Sequence, residues 1–479
     1  MVAATTRSPS GPARNWKAVP SGIVRHTPAS SAVTSARPSW PRHICPPPAT
    51  TYQISWTHPC DTAFDTCPGA SSNCAKLAAL GRTHNGRTDE PSGAVTSAAS
   101  AARIVVNSTL IGRKNRTGRL TEVRSMADQT LLPGITAERV PTGRLTMAVL
   151  SAAGRAGQPV LFVHGNVSSS LFWQPAMLAL PDGCRPLAVD LRGFGDTDPE
   201  PVDATRGLGD YADDLAAVIE ALGLTSVHLV GWSMGGGVVL QYLASRPGGH
   251  RAASVTLVAP VSPFGFGGTR GIDGTLCDPS GAGSGAGSVN ADFVARLAAG
   301  DRTGESPTSP RRVLLAHYVK PPCVPPELDI FVESMLSTRT GDDHYPGTSR
   351  QVPAWPGFAP GDRGVLNTMA PTHFRITSLA EVEPKPPILW LRGADDVIVS
   401  DTSLYDLAYL GSIGAVPGWP GPDTWPPQPM VAQTRALLQG YAAAGGRYRE
   451  TVIQDSGHGP HIDQPEQFRA ALAEHLRMS

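Results

Sequence analysis

Residues 225–235 read Thr-Ser-Val-His-Leu-Val-Gly-Trp-Ser-Met-Gly, and their reading decides the fold. The apolar run Thr225–Val230 predicts a short buried strand. Gly235–Leu243 (G-G-G-V-V-L-Q-Y-L) predicts a helix packed closely at its start. Between them stands Ser233, with a glycine two residues to either side. Such a strand-to-helix turn presents a serine as a nucleophile. It forces the serine into strained dihedrals, and side chains at the flanking positions would clash; glycine has no Cβ and fits. The Ser233 hydroxyl then stands at a helix N-terminus, where free N–H groups and the positive dipole end favour a developing oxyanion.

A serine hydroxyl is a poor nucleophile until a base takes its proton, and that base is usually a histidine held by a carboxylate. Two downstream stretches offer both. P-P-I-L-W-L-R-G-A-D-D (386–396) is an apolar strand ending in Gly393 and two aspartates. Y-R-E-T-V-I-Q-D-S-G-H-G-P-H (448–461) is a strand ending in a turn with His458, followed by an amphipathic helix. Each candidate lies just past the C-terminal end of a predicted strand, the edge of an open α/β sheet where ligands bind.

With serine, acid and histidine in this order, the chain from about Leu132 to its C-terminus resembles the α/β-hydrolase fold family. The resemblance implies that Ser233 is the nucleophile, Asp396 in G-A-D-D the acid and His458 the base. L-F-V-H-G-N (161–166) resembles the strand and loop that supply half of the oxyanion hole. The backbone N–H groups of Asn166 and Met234 would then hold the oxyanion. D-L-R-G-F-G-D-T-D (190–198) resembles a loop typical of the family, read here as structural. Related haloalkane dehalogenases and epoxide hydrolases carry an aspartate at the nucleophile position. Serine there implies acyl transfer to water instead, on an ester, lactone, thioester, amide or activated ketone.

Other titratable residues compete for these roles. Asp395 is the rival of Asp396; a shift of one residue at a strand end points a side chain the other way, so only one can face His458. His164 reads as a structural histidine at the loop base and His228 as a core residue of the nucleophile strand. His461 opens the last helix and reads as packing or capping, Asp455 as a turn residue. Asp213 and Asp214 are expected on the solvated face of a helix.

An apolar share of 41% against 17% charged suits a globular enzyme, and 479 residues allow one large domain or two ordinary ones. The formal net charge of zero is unevenly split: residues 1–125 carry 15 Lys/Arg against 5 Asp/Glu, the remainder 25 against 35. The acidic remainder gives no reason to expect nucleic acid. No apolar run approaches the roughly 20 residues of a membrane span. Residues 1–125 are rich in Ser, Pro, Ala, Thr and Arg, and the first 60 hold no acidic residue. They read as a disordered tail, a targeting segment or an upstream extension of a chain that starts at Met126, the last being favoured. Cys45, Cys60, Cys67 and Cys74 lie in this stretch and match no zinc motif. Cys184, Cys277 and Cys323 do not make a disulfide framework, although Cys277–Cys323 pairing stays open. A cytoplasmic location is the simpler expectation.

Beyond residue 125 strands and helices alternate, which predicts an α/β fold with a mostly parallel, doubly wound sheet covered on both faces. Strand candidates are Leu145–Leu150, Val160–His164, Arg185–Asp190, Ser226–Gly231, Ser254–Ala259, Ile388–Arg392 and Arg449–Gln454. Helices are expected around Leu171–Leu180, Gly209–Leu222, Met234–Ser245, Met430–Ala444 and Pro465–Arg477. The pattern divides the chain into core (126–260), an inserted, largely helical cap (261–387) and core again (388–479). Within the cap, G-A-G-S-G-A-G-S (281–288) reads as a flexible loop, and Ala291–Ala299 and Glu327–Leu336 as short helices. A cap covers the serine, shapes the pocket and excludes water. The tryptophans of G-W-P-G-P-D-T-W-P-P-Q-P (418–429) either wall that pocket or bury their own loop. Trp232, Phe172, Trp173, Phe264 and Phe266 are candidate pocket residues.

The expected protein is a serine hydrolase acting on a small-molecule substrate through an acyl-enzyme, with no cofactor, metal, nucleic-acid or membrane partner. Two alternatives stand beside it: carbon–carbon bond hydrolysis or perhydrolysis at the same site, and non-catalytic capture of a small molecule under the cap.

Overall fold

A computed structural model describes residues 130–479. The readings of residues 1–125, of Met126 and of the four N-terminal cysteines lie outside the described residues.

Eight strands form one sheet: β1 (Ile135–Pro141), β2 (Thr146–Ala152), β3 (Gln158–Val163), β4 (Cys184–Val189), β5 (Val227–Trp232), β6 (Ala252–Val258), β7 (Ile388–Gly393) and β8 (Tyr448–Ile453). Their spatial order is β1-β2-β4-β3-β5-β6-β7-β8. The β1/β2 and β2/β4 pairs are antiparallel. Every other pair is parallel. Parallel strands sandwiched between helices read as unbroken apolar runs, and β5 (V-H-L-V-G-W) is buried at every position. The principal helices are α1 (Gly209–Ala221), α2 (Met234–Ala244), α3 (Ala291–Ala299), α4 (Leu328–Leu336), α5 (Met430–Ala443) and α6 (Pro465–Arg477). Helix α2 packs on β3, β5 and β6, and α6 on β7 and β8. Leu161, Val163, Leu229, Val230, Val238, Leu257 and Leu391 are wholly buried in the core between them. No helix among the described residues is long and apolar enough to cross a membrane.

The structure departs from the sequence reading in four places. Strand β1 has no counterpart among the strand candidates, because as an edge strand it buries only Ile135 and carries no apolar run. Asp214 is not solvated. It is wholly buried, and its two oxygens accept from Arg192 Nε at 2.6 Å and Nη2 at 2.8 Å, and from Arg144 Nε at 2.7 Å. The Arg192 and Arg144 side chains, brought in by two other segments, make burial of that charge tolerable. The stretch between β6 and β7 is less helical than expected: α3 and α4 are joined by single turns and short two-stranded pairs, since its prolines and glycines stop longer helices. Finally, the glycine-serine run is a packed element and not a loose loop. Ala282 and Ser284 are fully buried, Gly285–Ser288 forms a tight helical turn, and the Ala286 N–H donates to Asn367 Oδ1 at 3.0 Å.

The run's lack of side chains lets neighbouring segments close on it. Ala282 joins Trp425 and Ala408 in a small second core, against which Trp355 and Trp419 pack. The 418–429 tryptophans therefore bury their own loop. A buried amide network ties this region to α5: Ser262 Oγ donates to Gln433 Oε1 at 2.6 Å, as does Gln428 Nε2 at 2.8 Å, and Gln433 Nε2 donates to Gly271 O at 2.9 Å. Cys184, Cys277 and Cys323 are free thiols.

Two tests follow from this packing. Asp214→Asn leaves Arg192 buried beside a neutral partner and is expected to cost ~3 kcal/mol in denaturant unfolding; a loss under ~1 kcal/mol would show that Asp210 compensates. Burial also holds three imidazoles neutral, His164 and His475 at pKa about 4 and His461 at about 3. Their folded values lie below the unfolded one, so the stability they contribute is present above about pH 6.5 and is lost as the pH falls toward 4. The urea midpoint should be flat above pH 7 and fall between pH 6.5 and 5, and His475→Gln should flatten that fall.

Candidate active site

Strands β3 and β5 are neighbours, with Val163 level with Gly231, yet the chain leaves β3 for β4 on one side and reaches β5 on the other. The loops past their carboxyl ends therefore diverge and leave a crevice at the switch point. Ser233 stands there. Its backbone lies at φ +55°, ψ −120°, it occupies the N-cap position of α2, and its side chain makes no capping bond. For a residue with a Cβ this conformation is strained. The close packing explains the flanking glycines: a Cβ at Gly231 would lie 2.5 Å from Gly235 O, and one at Gly235 would run into the carbonyls of Val163 and His164. The loop after β3 lies against the serine, since a Cβ on Gly165 would sit 3.0 Å from Ser233 Cβ. Beyond it come Asn166 and Val167, the latter with φ +47°. Among the described residues no acceptor meets the backbone N–H of Asn166 or of Met234.

His458 and Asp396 are in direct contact. The His458 ring donates from Nδ1 to Asp396 Oδ2 at 2.9 Å, and both side chains are buried. The other oxygen, Asp396 Oδ1, accepts from the N–H of Ile398 at 2.8 Å and of Val399 at 3.0 Å. Asp395 points the other way, half-exposed, and pairs with Lys320 Nζ at 2.8 Å. The acid and histidine loops touch because β7 ends in glycine; any side chain on Gly393 would collide with the carbonyls of Ser456 and Gly457. Trp232, one residue before the serine, donates from Nε1 to the His458 carbonyl at 2.9 Å. Among the described residues no hydrogen bond joins Ser233 Oγ to His458. Such bonds are commonly long in the unliganded state and tighten around substrate.

The remaining histidines have other partners. His164 Nε2 accepts from the Leu191 N–H at 2.9 Å and its Nδ1 faces Gly165 O at 2.7 Å, so the ring clamps the β3 loop to the loop after β4. His228 bridges to Ser254 Oγ on β6 at 2.7 Å. His461 is buried, stacked on Trp173 with ring centroids 4.3 Å apart. Asp455 is a turn residue at φ +55° that pairs with Lys320.

Of the pocket candidates, Phe172 and Trp232 lie at the site, their rings 5.4 Å apart and both in contact with Tyr318. Trp173 belongs to the core behind them, wholly buried among Phe162, His461 and Phe468. Phe264 lies under the Arg375 guanidinium, 4.8 Å from its ring centre, and Phe266 packs against the main core. Among the described residues neither has a ring contact with His458. Sequence reasoning missed Tyr318 and Lys320, which reach the site from the insertion. No motif surrounds them, and only the folded path of the chain brings them there.

Residues 158–269 match the model of the alpha/beta hydrolase fold family. Over 110 residues the chain is 40% identical to a non-heme haloperoxidase of Rhodococcus erythropolis, covering 23% of this chain and 39% of that protein. Over 98 residues it is 40% identical to a 2-(acetamidomethylene)succinate hydrolase of Mesorhizobium japonicum, 20% of this chain and 34% of that one. The chain thus spans less than half the length of these curated relatives. Among solved structures, carboxylesterase CesB from Bacillus subtilis superposes with a TM-score of 0.46 at 16% identity, covering 74% of this chain and 96% of that chain. The matched segment lies within the eight-stranded sheet, and the chain has the α/β-hydrolase fold.

Proposed function

We propose that the protein is a serine hydrolase that cleaves a carboxylic ester, lactone or related acyl bond. The supporting observation is the buried His458–Asp396 bond beside a serine whose hydroxyl caps nothing. In this reading His458 Nε2 takes the proton of Ser233 as its oxygen attacks the substrate carbonyl. Asp396 fixes the ring through Nδ1–H and stabilises the imidazolium that forms. The N–H groups of Asn166 and Met234 receive the oxyanion, at the N-terminus of α2, where the helix dipole adds to them. His458 then gives the proton to the leaving group, and an acyl-enzyme remains. Water, deprotonated by the same nitrogen, attacks the acyl carbon and regenerates Ser233.

A second reading at the same site is perhydrolysis, in which hydrogen peroxide replaces water as the acyl acceptor and a peracid leaves. The relative named a non-heme haloperoxidase favours it. Peracid formation from acetate and peroxide separates the two.

The first experiment is labelling with a fluorophosphonate probe and mapping of the adduct. Ser233 should carry it, and Ser233→Ala and His458→Ala should not; a folded protein that resists the probe would favour a binding protein over an enzyme. Asp396→Asn should lower kcat by about 10⁴-fold by presenting the wrong tautomer, whereas Asp395→Asn should leave it within about threefold. Gly393→Ala forces apart the loops that carry the acid and the base. It should cost ~1–3 kcal/mol of stability and lower kcat at least ~100-fold; normal kcat would mean that the two loops are not rigidly coupled.

A further inference from the structure

We propose that Tyr318 is a positioning residue for the oxyanion hole, holding the backbone of Asn166 and Val167 through its hydroxyl. The inference rests on the serine-hydrolase reading above. Tyr318 comes from the insertion between β6 and β7, at the end of a wide turn (Leu314–Tyr318) wound as a π-helix. Its hydroxyl donates to Asn166 O at 3.2 Å and to Val167 O at 3.3 Å. Both distances exceed that of a single O–H···O bond, as befits one hydrogen shared between two acceptors.

That backbone needs holding. Val167 is β-branched and sits at φ +47°, a conformation that costs on the order of 1–3 kcal/mol unless its surroundings impose it. Among the described residues the Asn166 N–H has no acceptor; its peptide plane is held on the carbonyl side, where Gly165 O accepts from Ser168 Oγ at 2.9 Å. The tyrosine holds the next two peptides, through the carbonyls of Asn166 and Val167 that follow that N–H.

Tyr318 is itself well anchored. Its ring is buried edge-on against Trp232 at 5.6 Å, and 6.3 Å from the His458 ring. Its carbonyl accepts from the Gly459 N–H at 2.7 Å. Two residues on, the Lys320 N–H donates to Asp463 Oδ2 at 2.9 Å, and Lys320 Nζ reaches Asp395 at 2.8 Å and Asp455 at 2.9 Å. One short segment thus ties the oxyanion loop to the loops of the acid and the base. Burial pushes the phenol pKa well above its usual value, which keeps the hydroxyl a donor at working pH.

The test compares Tyr318→Phe with the unaltered full-length chain, using p-nitrophenyl butyrate as substrate and a butyl boronic acid as the tetrahedral analogue. Deleting the hydroxyl should lower kcat by ~10–100-fold, less than outright loss of an oxyanion donor, and weaken the boronate by a similar factor while KM stays within about twofold. A purely structural role would instead lower the yield of active protein and leave kcat per labelled site unchanged. Ser233→Ala runs beside it. If that variant is inactive but Tyr318→Phe keeps kcat and boronate affinity, the positioning role is wrong and the serine reading stands. If Ser233→Ala still hydrolyses the ester, the serine reading fails and the proposal with it. Should Tyr318→Phe not fold, a difluorotyrosine placed at 318 keeps the ring and makes the hydroxyl a stronger donor. A change in kcat at constant KM then supports the role, and an unmoved kcat overturns it.

Discussion

A serine at φ +55° is sterically unwelcome, and the fold keeps Ser233 there by closing backbone around it on several sides. Strand β5 must end, and α2 begin, within one residue. That sharp change of direction lifts the hydroxyl out of the sheet and leaves it uncommitted to capping. It also leaves no room for side chains at 231 and 235, and it requires the β3 loop to approach closely through Gly165. Strand β5, buried at every position, and the buried first two turns of α2 over-determine the turn, so the strain stored at one residue is met by packing spread over many. Asp396 and His458 are a second such pair: β7 and β8 lie in register, and Gly393 lets their loops touch.

Much of this was legible in the chain because the physics is local. Strands buried on both faces read as apolar runs, and a glycine pair around a serine has few structural meanings. The choice between Asp395 and Asp396 turned on the alternation of side chains at a strand end, and the structure has Asp396 inward on His458 and Asp395 outward on Lys320. What was not legible depends on partners distant in sequence. Asp214 carries the same charge whether it faces water or Arg192, and only the meeting of 192 with 214 decides. The glycine-serine run has the composition of a linker, yet beside Trp425 and Asn367 the same absence of side chains permits close packing. Strand β1 is an edge strand with no apolar face to announce it.

Four of the buried histidines around the sheet show how little the residue type settles by itself. His164, His228 and His461 spend their rings on loop clamping, cross-strand bonding and stacking. His458 alone among them faces a carboxylate. Burial depresses the pKa of His164 and His461, so a perturbed imidazole is in these two a sign of burial.

The segment 318–320 has a consequence for traffic. Inserted segments over α/β sheets are often pictured as doors that swing aside while the machinery beneath stays put. Here the segment is nailed to the sheet's edge: the Tyr318 carbonyl holds the Gly459 N–H, the Lys320 N–H donates to Asp463, and Lys320 Nζ bridges Asp395 and Asp455. Swinging it outward would break all of these contacts at once. Residues 318–320 are thus a fixed post of the insertion, and any hinge in it must lie elsewhere along the chain.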